Sequence, residues 1–125
     1  MSRVIKFRVW NKEESRMIDL NGFEIAFKGM QKEGEVTAAI EQGNLYMYDT
    51  DDVEIMQFTG LKDKNGVDIY EGDVFYDGIE NCVIEFCDRL SAFVANDGTE
   101  KHFLGECAHN EEVIGNIHQN PELIK

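Results

Sequence analysis

Thiol and imidazole groups are the first candidates for chemistry in this sequence, which contains three cysteines and three histidines. Cys107 and His109 are two positions apart, so their side chains would share one face of an extended segment, where a thiol and a base could pair. No glycine-rich nucleophile elbow accompanies them. We therefore expect Cys107 to be an idle or buried cysteine, and His118, at the end of the last predicted strand, to make a structural hydrogen bond.

Metal binding is the second kind of chemistry to consider. The ligand types of a zinc site are present at four positions: Cys82, Cys87, Cys107 and His109. Their spacing does not favour zinc, because there is no C-x-x-C motif and because Cys82 and Cys87 would face opposite sides of a regular strand. A calcium loop over residues 61–72 fails as well, since Leu61 and Gly72 occupy the first and last positions, which require carboxylates. We expect no metal and no cofactor.

Closely spaced acidic residues could bind Mg²⁺ or act as a general acid and base. These residues are Asp51 with Asp52, Glu71 with Asp73, and Glu111 with Glu112. No phosphate-binding loop of the form G-x-x-x-x-G-K-[S/T] accompanies them, and neighbouring acids in loops usually just face water. A hydrolase-type enzyme is therefore the less favoured interpretation, because no site passes the geometric checks.

Composition and charge limit the possible partners. The chain has 125 residues, of which 42% are hydrophobic, enough for one domain with one core. Its formal net charge is −13, and residues 1–16 are net basic, so the acidity lies in the rest of the chain. Such a body repels phosphate groups, which argues against direct nucleic-acid binding.

The sequence also predicts the cellular compartment. No apolar run approaches the ~20 residues of a membrane span, and the first residues contain no apolar signal-peptide core. The odd number of cysteines cannot all pair within the chain, which indicates reduced thiols. We expect a cytoplasmic protein that makes no membrane contact.

The N-terminal residues alternate in polarity. Residues 4–10 therefore predict a strand with one apolar face and one cationic face. The cationic face carries Lys6, Arg8 and Trp10. Further hairpins are predicted up to residue 55. They include a strand at residues 23–27, which a break at residues 29–34 ends. Residues 36–43 fit either a strand or a helical turn, and their alternation favours a strand.

The rest of the chain is organised around residues 56–75, where two apolar runs flank the turn Asp63-Lys64-Asn65-Gly66. Asp63 and Gly66 favour a type I turn followed by a left-handed glycine, although Asn65-Gly66 alone also fits a type I′ loop. Five short strands over residues 73–117 then predict a small SH3-like barrel. Asn120-Pro121-Glu122 predicts a short terminal helix, with Asn120 as its cap and Pro121 at its first position. The predicted fold is mainly β (β-rich α+β). It is one domain, residues 1–125, with an N-terminal β lobe of antiparallel hairpins at 1–55 and the hairpin plus barrel at 56–125.

Four segments resemble the YopX family of phage and prophage proteins, in the same order as in that family. They are Ile5–Trp10, Met56–Gly66, Ile69–Val74 and Glu112–Leu123. The resemblance implies a bacteriophage origin, a β-rich fold with a barrel-like part, and action in the cytoplasm of the bacterial host. It implies no known activity and no catalytic residues.

We expect a non-enzymatic accessory protein that works through contacts with a host or phage protein, and the acidity of the chain favours a basic partner. The residues expected on an interaction surface are Lys6, Arg8, Trp10, Asp51, Asp52, Glu71 and Asp73. The alternative is a self-assembling module, a homo-oligomer in which the basic first strand of one copy meets the acidic surface of the next.

Overall fold

The computed structural model describes residues 5–20, 26–31, 34–41 and 44–124. Its antiparallel strands confirm the prediction of a mainly β fold. The chain divides into two compact units, unit 1 at residues 1–57 and unit 2 at residues 58–125. Strand β6 (Val53–Lys62) passes from the first unit into the second.

Unit 1 contains two small antiparallel sheets. In the first, β1 (Phe7–Asn11) lies between β2 (Arg16–Asp19) and the first half of β6. Four apolar side chains form its core: Val9, Ile18, Leu20 and Val53. The second sheet has the order β3-β4-β5, with β3 at Ala26–Gln31, β4 at Gly34–Glu41 and β5 at Asn44–Asp49.

Two predictions for unit 1 are decided by the β3-β4 hairpin. The ambiguous segment is a strand as far as Glu41, whereas residues 42–43 lie outside the described residues. The expected break at 29–34 is wrong, because β3 continues to Gln31 and β4 begins at Gly34. Glycine lowers strand propensity, but pairing along the whole hairpin overrides that local preference. Residues 23–25, predicted to begin the preceding strand, also lie outside the described residues.

Unit 2 contains a five-stranded antiparallel sheet curled into a half-barrel. Its strands are β8 (Asp73–Tyr76), β9 (Asn81–Cys87), β10 (Ala92–Asn96), β11 (Lys101–Phe103) and β12 (Val113–Asn116). The order is β11-β10-β9-β8-β12, so four strands form a meander and β12 returns to pair with β8. Helix α1 (Leu104–Cys107) and a 3-10 turn (Ala108–Asn110) make that return.

The core of unit 2 lies under this curled sheet. Its fully buried members include Ile69 of β7 (Asp68–Tyr70), Phe75 of β8, Ile84 of β9 and Leu104 of α1. These residues come from elements far apart in sequence, so the core forms only when the meander and the returning helix are both in place. A final 3-10 helix spans Pro121–Ile124, where a short helix was predicted.

The turn at Asp63 is fixed by its own carboxylate. Gly66 has a φ of +81° and its N–H donates to the Asp63 carbonyl at 3.0 Å, as in a type I turn followed by a left-handed glycine. Asp63 Oδ1 accepts the N–H groups of Asn65 (2.8 Å) and Val67 (2.9 Å). Asp63 Oδ2 accepts the N–H of Val113 at 3.0 Å, which ties the turn to the start of β12.

Replacement of Asp63 by Asn tests this connection. Burial raises the pKa of the Asp63 carboxyl, but three backbone N–H donors and Lys64 more than offset it, so the pKa lies below its ordinary value of 3.8. We expect Asp63→Asn to lower the free energy of unfolding at neutral pH by roughly 1.5–3 kcal/mol, the usual cost of losing hydrogen bonds to a charged group. Denaturant unfolding measures the change, with the exposed Asp88→Asn as the matched control.

The pH dependence has a definite sign. A carboxyl whose pKa is lower in the folded state stabilises fully above its unfolded pKa, and the contribution is lost as pH falls through the folded pKa. The difference between wild type and Asp63→Asn should therefore be largest near neutral pH and shrink below about pH 4. A difference that stays constant down to pH 2 would contradict the role of the charge.

Position 115 in β12 requires glycine, because there is no room beside its backbone for a Cβ atom. A Cβ at Gly115 would lie 2.5 Å from Asn120 Oδ1 and 2.9 Å from Leu123 Cδ1. We expect Gly115→Ala to destabilise the protein by about 1–3 kcal/mol through overpacking. Gly105→Ala is the control, because nothing lies within 4 Å of its Cβ. Equal melting temperatures for the two variants would show that the last 3-10 helix can shift to admit a methyl group without loss of stability.

Candidate interaction site

The interaction residues predicted in unit 1 are mostly covered. Arg8 and Trp10 are 8% and 9% exposed, and Lys6 is half-buried. Because β1 is the central strand of its sheet, neither of its edges is open. Asp51 and Asp52 are exposed, in a 3-10 turn (Thr50–Asp52) whose Asp51 carbonyl accepts a hydrogen bond from Lys12 Nζ at 2.9 Å. The cationic face of β1 is thus closed where Arg8 and Trp10 lie.

The two interaction residues predicted in unit 2 belong to a structural turn. Asp73 is 2% exposed, and its Oδ2 accepts the N–H of Tyr70 at 2.8 Å. Between them Gly72 has a φ of +86°, donates to the Ile84 carbonyl and accepts from the Ile117 N–H. Glu71 is half-buried. Contact of any of these residues with a partner stays a prediction.

The thiols are arranged differently from the four zinc-ligand types that the sequence offers. A cavity of about 200 Å³ in unit 2 is lined by Phe75, Asp77, Cys82, Ala95, His102, Cys107 and Glu111. It brings together Cys82, Cys107 and a histidine that the sequence did not single out. His109 is exposed on a 3-10 turn and is not among the residues that line this cavity.

Neither cavity thiol is activated. Burial and the neighbouring Asp77 carboxylate raise the pKa of Cys82 to about 12, and Cys82 Sγ lies 3.6 Å from Asp77 Oδ2. Burial and Glu111 raise the pKa of Cys107. Because the thiolate is the nucleophile, both groups are poorly suited to covalent chemistry or to metal binding at neutral pH.

Two turns of unit 2 share the sequence pattern Asp-Gly-x-Glu, at residues 77–80 and 97–100. In each, one Asp oxygen accepts two backbone N–H groups: Ile79 and Glu80 on Asp77, and Thr99 and Glu100 on Asp97. These bonds lower the pKa of both carboxyls. The sheet order places both turns at the same end of the half-barrel, because they close alternate connections of a meander.

One of these turns could contribute to a cation site. Among the described residues, the possible ligand atoms of Asp97, Glu100 and His102 lie within 4.8 Å of one another. His102 Nε2 lies 3.3 Å from Asp97 Oδ2. Exposed acidic groups often gather in this way without an ion, so the cluster alone does not identify a metal site.

Strand β5 is the surface that most resembles a protein-binding edge. It pairs with β4 on one side and, within the described residues, has no strand on its other side. Leu45, Tyr46 and Met47 are 59%, 43% and 49% exposed, so large apolar side chains are open to solvent on both faces. The strand ends at the exposed Asp49, and the exposed Asp51 and Asp52 follow.

The comparisons with known proteins concern the family and the fold. A model of the YopX protein family matches residues 6–125. The chain belongs to the YopX family. A search of curated proteins gave no match.

Two solved structures are similar to this YopX-family chain. The crystal structure of protein EF1440 from Enterococcus faecalis is 28% identical, with a TM-score of 0.68, and the match covers 99% of this chain and 100% of the other. Protein yopX from Bacillus subtilis is 20% identical, with a TM-score of 0.61, and the match covers 99% and 98% of the two chains. These likenesses support the fold and assign no activity. No helix among the described residues has the length and apolar character to cross a membrane.

The raised thiol pKa values predict slow chemical modification. With an aromatic disulfide reagent at pH 8, we expect Cys82 of the native protein to react at least about tenfold more slowly than in the unfolded chain, because little thiolate forms. The half-buried Cys107 should react faster than Cys82, with a rate that rises as pH increases. Cys82→Ser is the control and should leave native labelling unchanged. Rapid labelling of Cys82 at pH 8 would revive a nucleophilic role.

Proposed function

We propose that the protein acts by binding another protein, which adds a strand to the open edge of β5. The observation that carries the proposal is the run Leu45-Tyr46-Met47, apolar and exposed along an edge strand. Natural proteins usually protect such an edge with lysine, proline or a bulge, and β5 contains none of these. Strand addition uses the backbone groups of the edge for affinity and the alternating side chains for specificity.

The charge around β5 supports a basic partner. Between Lys32 and Lys62 the sequence holds seven acidic residues and no lysine or arginine. A partner strand flanked by lysine or arginine would be drawn to this edge, and the association would weaken as salt screens the charges. Membership of the YopX family supports a phage or prophage accessory protein that meets a host or phage protein in the bacterial cytoplasm.

Self-assembly is the alternative function. The form of self-assembly expected from the sequence has the basic first strand of one copy against the acidic surface of the next. The burial of Arg8 and Trp10 argues against that contact. Pairing of two β5 edges would bring the acidic flanks of two copies together, so it would strengthen with added salt. Binding to a basic partner should weaken with added salt. The salt response therefore separates the two functions.

Met47→Lys tests the β5 proposal. A lysine in the middle of an edge strand disfavours strand addition, and the half-exposed site tolerates the change. We expect the tagged variant to lose the partner that wild type captures from bacterial lysate at low salt, a loss of about tenfold or more. Ile79→Lys is the matched control, because Ile79 is 84% exposed and lies in a turn of unit 2.

The proposal requires that Ile79→Lys binds like wild type and that salt releases the captured protein. Equal capture by Met47→Lys would exclude the β5 edge. Light scattering across a salt series runs in parallel, and a mass that increases with salt for wild type but not for Met47→Lys would favour self-assembly.

A further inference from the structure

A groove of about 630 Å³ lies in unit 2, beside the final 3-10 helix. It is lined by residues of β9, β10, the turn after β10 and the end of that helix. The side chains that matter for its chemistry are Glu80, Val83, Glu85, Asp97, Leu123 and Ile124. The groove is separate from the β5 edge, which belongs to unit 1.

Three carboxylates line the groove, those of Glu80, Glu85 and Asp97, and we call them its rim. Asn96 Nδ2 donates to Glu85 Oε1 at 3.1 Å, and the N–H groups of Thr99 and Glu100 donate to Asp97 Oδ1 at 2.8 and 2.7 Å. Backbone hydrogen bonds hold the pKa of Asp97 below its ordinary value, so this carboxylate stays charged. Glu80 is exposed on the turn before β9.

Two cationic or ionisable groups partly balance this rim. Lys101 Nζ lies 3.5 Å from Glu85 Oε1, and His102 Nε2 lies 3.3 Å from Asp97 Oδ2. Both are about half exposed, and such surface pairs contribute little because water and salt screen them. The groove therefore keeps a negative rim at neutral pH.

Three apolar side chains also line the groove, those of Val83, Leu123 and Ile124, and we call them its floor. Val83 and Leu123 are half-buried and Ile124 is 47% exposed. Asn81 Nδ2 donates to the Leu123 carbonyl at 2.6 Å, which fixes the end of the final helix against β9. An apolar floor below a carboxylate rim matches a side chain that has an aliphatic stem and a cationic head.

We propose that this groove binds a lysine- or arginine-containing segment of another protein, with the aliphatic stem of the basic residue on the floor and its cationic head at the rim. The volume suits a short peptide, since ligand pockets usually measure about 300–1,000 Å³. Two negative rim groups attract a nearby cation more strongly than the single carboxylate of an ordinary surface ion pair does. This site does not depend on the β5 edge and can bind whether or not that edge does.

Fluorescein-labelled tri-arginine is the probe, and tri-citrulline is its uncharged counterpart of nearly the same shape. We expect fluorescence anisotropy to detect tri-arginine and not tri-citrulline. The double variant Glu80→Gln/Glu85→Gln should weaken tri-arginine binding by about tenfold, since hydrogen bonds to charged groups are lost. Glu13→Gln/Glu106→Gln removes the same charge from exposed positions outside the groove and should change binding by less than about twofold.

A variant of the floor distinguishes a specific binding site from general attraction to an acidic protein. Ile124→Ser keeps every charge and should weaken binding by about threefold through lost apolar contact. In parallel, the backbone amide signals of Val83, Gly98 and Ile124 should shift in NMR spectra as tri-arginine is added. Equal losses in the two glutamate double variants, or shifts spread over the acidic surface, would overturn the proposal. Met47→Lys should bind tri-arginine like wild type, so failure of the groove and failure of the β5 edge give different results.

Discussion

The Asp63 carboxylate joins two segments of unit 2 that are 50 residues apart in sequence. One oxygen closes the turn between β6 and β7, and the other accepts the N–H of Val113, where β12 begins. Lys64 adds a second link, because its N–H donates to the Glu111 carbonyl at 3.0 Å. Since β12 pairs with β8 and completes the five-stranded sheet, the half-barrel depends on a side chain outside that sheet. Without the carboxylate, three partly buried backbone N–H groups would lose their hydrogen-bond acceptor, which costs stability.

Local patterns were sufficient to predict most of the fold. Alternating polarity identified the strands of the five-stranded sheet, and Asp63-Lys64-Asn65-Gly66 predicted the hairpin while leaving two turn types open. The same alternation could not show which surfaces are open. It assigned Arg8 and Trp10 to a polar face of β1, and that assignment holds no information about what covers the face. Likewise, Cys82, His102 and Cys107 meet through strand order and the returning helix, which spacing along the chain does not encode.

The two proposed binding surfaces use different physical interactions. The β5 edge offers backbone hydrogen bonds and exposed apolar side chains, with charge only at its flank, so its selectivity depends on the shape and sequence of a strand. The groove offers oriented carboxylates above an apolar floor, so its selectivity depends on a basic side chain. A partner with an extended basic segment satisfies both requirements. Both surfaces carry or border carboxylates, which repel phosphate groups, so the absence of direct nucleic-acid binding stays a prediction.

The net charge of −13 overstates the charge available to a partner. Asp63 is 5% exposed, and its carboxylate oxygens accept the backbone N–H groups of Asn65, Val67 and Val113. Asp73 is buried and bonded to the Tyr70 N–H. These acids are part of the turns that shape the half-barrel, so they would be present whatever the protein binds. The attraction of a basic partner would have to come from the exposed acids, and among these the group following β5 borders an apolar edge. Binding there should therefore combine a modest salt dependence with a requirement for apolar contact, which distinguishes it from purely electrostatic attraction.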